Sequence, residues 1–134
     1  MTLDELDHQL PNGFHDAELH DLKIDYVHRT MTLRLAIDFG NPDGPKREDY
    51  RLGELLVTDL FFCSIDPPDP NHGNMPGGSP LSVSGDKATA DTLHNMEAII
   101  RNIPSGASCY SFFVYDWNSF ITIAARDVQL RWIE

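Results

Sequence analysis

Apolar and polar residues alternate along most of this chain, and the period is two far more often than it is helical. The clearest case is Met31, Leu33, Leu35, Ile37 and Phe39, interleaved with Thr32, Arg34, Ala36 and Asp38. Five apolar residues in strict alternation predict a strand with one face on a core and one in water, as in an antiparallel hairpin. The preceding segment supplies the partner: Leu22, Ile24 and Tyr26 point one way, Asp21, Lys23 and Asp25 the other, with a turn around Arg29 and Thr30. Residues 50–65 read as a third strand. Leu55, Val57, Phe61, Cys63 and Ile65 share one face there, with Leu56, Leu60 and Phe62 opposite and Gly53 marking a bend. The run 108–125 reads as two further strands folded back across a polar turn at 116–119. In its first strand both faces carry bulk: Cys109, Phe113 and Tyr115 on one, Tyr110, Phe112 and Val114 on the other. A strand apolar on both faces belongs in the middle of a sheet. Val128, Leu130 and Trp132 continue in period two toward the C-terminus.

Helical spacing is confined to two places. Leu3, Leu6 and Leu10 predict a short helix that Pro11-Asn12-Gly13 stops. Residues 89–103 predict the main helix: Leu93, Met96, Ile100 and Ile103 form one apolar stripe, Thr89 caps it, and Pro104 with Gly106 ends it. Between the third strand and that helix lies a Pro/Gly-rich stretch, 66–86, expected as a loop of about 20 residues, and loops of that length are mobile or functional. The order β-β-β, helix, β-β predicts a single α+β domain over residues 1–134. Its sheet is mostly antiparallel with about five or six strands, and one main helix packs on it.

Composition changes this picture little and charge changes it more. With 134 residues the chain suits one domain able to bury its own core. The 21 acidic against 10 basic residues give a formal charge of −11, which repels phosphate backbones and anionic lipid. Nucleic acid and membrane are therefore excluded as expected partners, while a basic protein or a divalent cation remains compatible. No apolar run approaches the ~18 residues of a membrane-spanning helix. The N-terminus lacks a basic region followed by an apolar stretch, so the expected location is cytoplasmic. Cys63 and Cys109 sit among large apolar neighbours and are expected as free, buried thiols.

Two clusters carry candidate chemistry. In Phe14-His15-Asp16-Ala17-Glu18-Leu19-His20-Asp21, an extended backbone would project Asp16, Glu18 and His20 to one face. Two carboxylates and an imidazole in a row suit a divalent metal and, with an open coordination position, hydrolysis. The competing reading is a solvated edge strand whose charges discourage pairing. The second cluster is the turn Asp116-Trp117-Asn118, where an indole between two turn-formers is a candidate anchor for a partner. Against this, Asp and Asn favour tight turns in their own right and the indole can cap the core. No catalytic residue is assigned. Ser84-Gly85-Asp86 lacks a nucleophile-elbow pattern, and no serine or cysteine has a histidine partner predictable from spacing.

The opening Phe14-His15-Asp16-Ala17-Glu18-Leu19, with the alternating strand pair after it and the later Leu60-Phe61-Phe62, resembles small uncharacterised bacterial proteins. Some of these are similar to the immunity proteins of polymorphic toxin systems. The resemblance implies a domain that blocks a toxin by binding it, with no catalysis of its own and no family site residues to carry over. The leading expectation is thus a non-enzymatic protein-binding module, steered to a basic partner by its charge. The alternatives are a metal-binding module or metal-dependent hydrolase on Asp16, Glu18 and His20, and a subunit that oligomerises through exposed strands.

Overall fold

The computed structural model describes residues 1–41, 43–45, 48–72, 77–88 and 97–133. Its elements are helix α1 (Leu3–Gln9), strands β1 (Ala17–Asp25), β2 (Thr30–Asp38), β3 (Tyr50–Ile65) and β4 (Leu81–Lys87), helix α2 (Glu97–Arg101), and strands β5 (Ser108–Val114) and β6 (Ser119–Trp132). All strand pairs are antiparallel, and they close into a barrel in the order β1-β2-β3-β6-β5-β4. The protein is an α+β domain whose six-stranded antiparallel sheet is curled on itself.

Alternation determines which side chains fill the barrel. Met31, Leu33, Leu35 and Ile37 of β2, Leu55 and Val57 of β3, Val83 of β4, and Ile121, Ile123 and Ala125 of β6 all point inward and are buried. β5 lies between β4 and β6, and because the barrel is closed it has no more central a place than any other strand. Its Tyr110, Phe112 and Val114 are 1% exposed or less. Phe14 enters from the α1–β1 connection and meets Tyr110 and Phe112 edge-on, with ring centroids 6.0 and 5.4 Å away. Burying each such side chain contributes about 1.5–3 kcal/mol. α1 lays Leu3 and Leu6 on this core. Its start is held by a capping box, Thr2 Oγ1 accepting from Glu5 N–H while Glu5 accepts from Thr2 N–H. On the outer face, Cys109, Ala88 and Ala124 form a small second cluster with Phe62 and Ile103.

Three expectations need correction. The stretch expected as loop through Asp86 turns into strand at Leu81: Leu81 and Val83 alternate with serines, and Gly85 supplies no side chain, so the apolar signal is two residues long. Without β4 the barrel could not close. The parity of β3 also shifts. Asp59 adopts φ +50 and a bulge falls between Leu60 and Phe62, which places Leu60 in the core with Leu55 and Val57. Phe61 faces outward instead, under the guanidinium groups of Arg29 and Arg126 at 5.9 and 5.0 Å. Finally, the described part of the main helix ends at Arg101, short of Ile103, where Pro104 follows. Residues 89–96 of that expected helix lie outside the described residues.

Candidate functional site

The segment 13–20 is shaped by local irregularities. Gly13 and Asp16 have φ of +55 and +53, and the Asp7 carboxylate accepts the Phe14 N–H at 2.9 Å. Anchoring Phe14 in the barrel leaves His15 and Asp16 outside it, with side chains 73% and 60% exposed. Ala17 and Leu19 then point inward, a bulge falls at His20, and Leu22 and Ile24 pack on the core after it. The left-handed residue and the bulge break the period that would have aligned Asp16, Glu18 and His20. His15 Nε2 pairs with Asp16 Oδ2 at 3.2 Å, and His20 Nε2 lies 3.9 Å from Glu18 Oε2. Among the described residues no group of three or more His, Cys, Asp or Glu side chains converges as a metal site. The edge-strand reading holds for part of β1 only, since Glu18 and Leu19 pair with both β2 and β4.

What gathers around His15 instead comes from β4 and from the turn after β5. Ser84 Oγ accepts hydrogen bonds from the Asp16 N–H at 3.1 Å and from the Tyr115 hydroxyl at 3.0 Å, and stands 3.5 Å from His15 Nδ1. The Tyr50 hydroxyl donates to the Asp16 carbonyl at 3.1 Å, which holds the left-handed residue in place. Burial, helped by the nearby carboxylates of Asp38, Glu48, Glu18 and Asp16, pushes the Tyr50 phenol above its ordinary value. Sequence reading missed this grouping because its serine sits on the strand that was read as loop.

The turn Asp116-Trp117-Asn118 has its polar groups engaged within the fold. Asp116 Oδ2 accepts the Ser82 N–H at 2.7 Å, which fixes the start of β4. Asn118, at φ +47, donates to Asp69 Oδ2 at 3.0 Å, and the Asp69 N–H donates to the Trp117 carbonyl at 2.9 Å. Bonds from the Asn71 N–H and then Asn118 hold the Asp69 carboxyl below its usual range. Trp117 is half-buried against the core and, with Leu19, Leu22, Ile65, Leu81 and Ile121, walls a cleft of about 280 Å³.

The opposite situation holds at the β1–β2 turn. Tyr26, expected on the apolar face with Leu22 and Ile24, lies past the end of β1 and is 76% exposed, and Val27 beside it is 87% exposed. The turn is braced from within: Asp25 accepts the His28 N–H at 3.1 Å and meets His28 Nδ1 at 2.7 Å, contacts that hold its carboxyl low. Tyr26 also borders a 210 Å³ cleft lined by Arg29, Leu60, Phe61, Phe62 and Cys63. The sequence signal was present, since Tyr26-Val27 is an apolar pair between two turn-forming polar residues.

No family model matches the chain, and no curated protein does. Among solved structures, an uncharacterized protein from Neisseria gonorrhoeae is similar over 87% of this chain and 91% of that chain, with 11% identity and a TM-score of 0.46.

Proposed function

We propose that this chain is a protein-binding module of the immunity type, which captures a basic partner through its β1–β2 turn. The observation that carries the reading is the exposure of Tyr26 and Val27, the two most exposed large apolar side chains described. Exposing that much apolar surface has no folding benefit, and an aromatic beside an aliphatic residue is the usual content of an interface anchor. The Asp25–His28 contacts hold the turn in one shape, so less ordering entropy is lost on docking. The net charge of −11 steers a basic partner in and repels nucleic acid. A cytoplasmic setting accords with the two free thiols. Asp116, Trp117 and Asn118 rank second as an anchor because their hydrogen-bonding groups are already spent on Ser82 and Asp69.

The test is affinity capture from the source organism at low salt, with wild type beside Tyr26→Asp/Val27→Asp and Trp117→Ala. The expected result is a basic protein retained by wild type, released as salt rises, and lost by the turn variant at unchanged melting temperature. A partner retained equally by the turn variant, or no partner at low salt, overturns the reading.

A further inference from the structure

We infer that Ser84 is a base-activated nucleophile that takes an acyl group from small activated esters. The inference is independent of the binding role and rests on four polar contacts around one hydroxyl. Ser84 Oγ has two lone pairs and one proton to place. The lone pairs accept from the Asp16 N–H at 3.1 Å and the Tyr115 hydroxyl at 3.0 Å, so the Ser84 proton is left facing His15 Nδ1 at 3.5 Å. The far side of the imidazole, Nε2, lies 3.2 Å from Asp16 Oδ2. That carboxylate selects the tautomer with the proton on Nε2 and the lone pair on Nδ1, aimed at the serine. Nucleophile, base and orienting carboxylate thus stand in the relation that serine hydrolases share across unrelated folds. Apo distances at such sites are commonly long and tighten on substrate binding.

The same contacts supply electrophilic assistance. The Asp16 N–H and Tyr115 O–H converge on Ser84 from outside the barrel, and the Tyr115 ring is set edge-on against Phe113 at 5.0 Å. Attack uses one of these lone pairs, so the Tyr115 hydroxyl releases Ser84 as Oγ bonds to the carbonyl carbon, and its O–H is then free to donate to the new oxyanion while the Asp16 N–H stays on Oγ. In the step, Ser84 Oγ forms a bond to the carbonyl carbon while its proton passes to His15 Nδ1. The tetrahedral intermediate then collapses by breaking the bond to the leaving oxygen, which receives that proton from His15. Water, deprotonated by His15, later cleaves the acyl ester and restores Ser84 with release of the acid. Ser84 is half-buried and His15 is exposed, so the site is reachable. Neither cleft described above borders Ser84, which limits the acyl group to a small one with a good leaving group.

The experiment treats the full chain with p-nitrophenyl acetate, follows nitrophenolate release, and maps the acetyl group by peptide mass spectrometry. The expected result is an acetyl ester on Ser84, absent in Ser84→Ala and replaced by a thioester in Ser84→Cys. His15→Gln should slow acylation by about 10²–10⁴-fold while melting as wild type does. Asp16 acts through His15 as a positioning residue, so Asp16→Asn should lower kcat for acylation at unchanged KM and unchanged melting temperature, a split that a merely structural role would not give. Acetyl found only on amines or on Tyr115, or equal Ser84 labelling in His15→Gln, overturns the inference. Should Ser84→Ala fail to fold, the cysteine and glutamine variants still decide it.

Discussion

Gly85 of β4 lies beneath the ring of Tyr110, and replacing it with alanine should unsettle the whole barrel. A Cβ built at Gly85 would stand 2.1 Å from the Tyr110 hydroxyl oxygen, 2.6 Å from Cε1 and 2.7 Å from Cζ. All three are far inside van der Waals contact, so either the ring or β4 must move. The ring has nowhere to go: it is 0% exposed and packed edge-on against Phe14 and Phe112, with centroids 6.0 and 5.1 Å away. β4 is equally confined, since Gly85 pairs with Phe112 of β5. Overpacking of this kind costs about 1–3 kcal/mol. Against it stands the lower entropy of the unfolded chain, worth about 0.4–1 kcal/mol when alanine replaces glycine. A net loss of about 1–2 kcal/mol corresponds to a melting temperature lower by about 4–8 °C at this chain length. Calorimetry or urea unfolding of Gly85→Ala measures it. Adding Tyr110→Phe removes the closest contact but leaves the two ring carbons, so the double variant should recover part of the loss. A melting temperature for Gly85→Ala at or above wild type would refute the packing argument. Equal losses with and without Tyr110→Phe would place the strain elsewhere.

Tyr110→Phe alone should change stability by less than about 1 kcal/mol, because its buried hydroxyl makes no hydrogen bond of good geometry and the Asp7 carboxylate near it keeps its bond from the Phe14 N–H when the hydroxyl is gone. A loss of several kcal/mol in chemical denaturation would show a partner of consequence. The thiols should be inert: burial pushes Cys63 up to about 11 and also raises Cys109, so neither forms thiolate near neutral pH. Disulfide-exchange reagents should label the buried Cys109 only after denaturant is added and the half-buried Cys63 slowly before it, and prompt native labelling of Cys109 would contradict the packing. The barrel should also be sensitive to alkali. Burial pushes both the Tyr110 and Tyr50 phenols up, Tyr110 further, with the Asp7 carboxylate adding to the effect. Folding therefore favours the neutral phenols, and their contribution is complete below the unfolded tyrosine value of about 10 and declines as pH rises beyond it. Phenolate absorbance followed with circular dichroism should show Tyr110 ionising only as the sheet signal is lost. Ionisation of all four tyrosines in a folded protein would refute this.

The regular parts of the fold were legible because alternation is a direct image of a half-buried sheet. β2 follows it closely: Met31, Leu33, Leu35 and Ile37 are each 1% exposed or less, and only Ala36 on the other face is buried as well. The bulk on both faces of β5 was a weaker guide, since in a closed barrel every strand has two neighbours; its inward Tyr110, Phe112 and Val114 are sealed, while Phe113 on the other face is half-buried. β4 was unreadable because its inward set is Leu81, Val83 and the empty position at Gly85. That emptiness is filled by Tyr110, a residue 25 positions later in the chain, and no local pattern reports such a contact. The candidate sites failed in the same way. Asp16, Glu18 and His20 look aligned only if residues 16–20 are extended, whereas Asp16 is left-handed and His20 sits in a bulge. Ser84 became a neighbour of His15 only through the pairing of β1 with β4.

These irregularities and the exposed chemistry have one cause. A six-stranded antiparallel sheet closes only if its strands bend sharply, and bulges supply the bend by inserting a residue that cannot join the ladder. In β1 the inserted residue is His20, in β3 the bulge ejects Phe61, and at the mouth of β1 the turn through Asp16 throws His15 clear of the barrel. Each ejected side chain lands among groups from other strands: Phe61 under Arg29 and Arg126, His15 beside Ser84 and Tyr115. Closure thus does two things together. It seals Phe14, Tyr110 and Phe112 into one dry interior, and it places outside that interior the polar and aromatic groups that a flat sheet of the same sequence would have kept apart. A strand-flattening change at a bulge, such as deletion of His20, would therefore straighten β1 while leaving Leu22 opposite Leu33 and Ile24 opposite Met31 on the core side, because the residue removed is the one that joins no rung of the ladder.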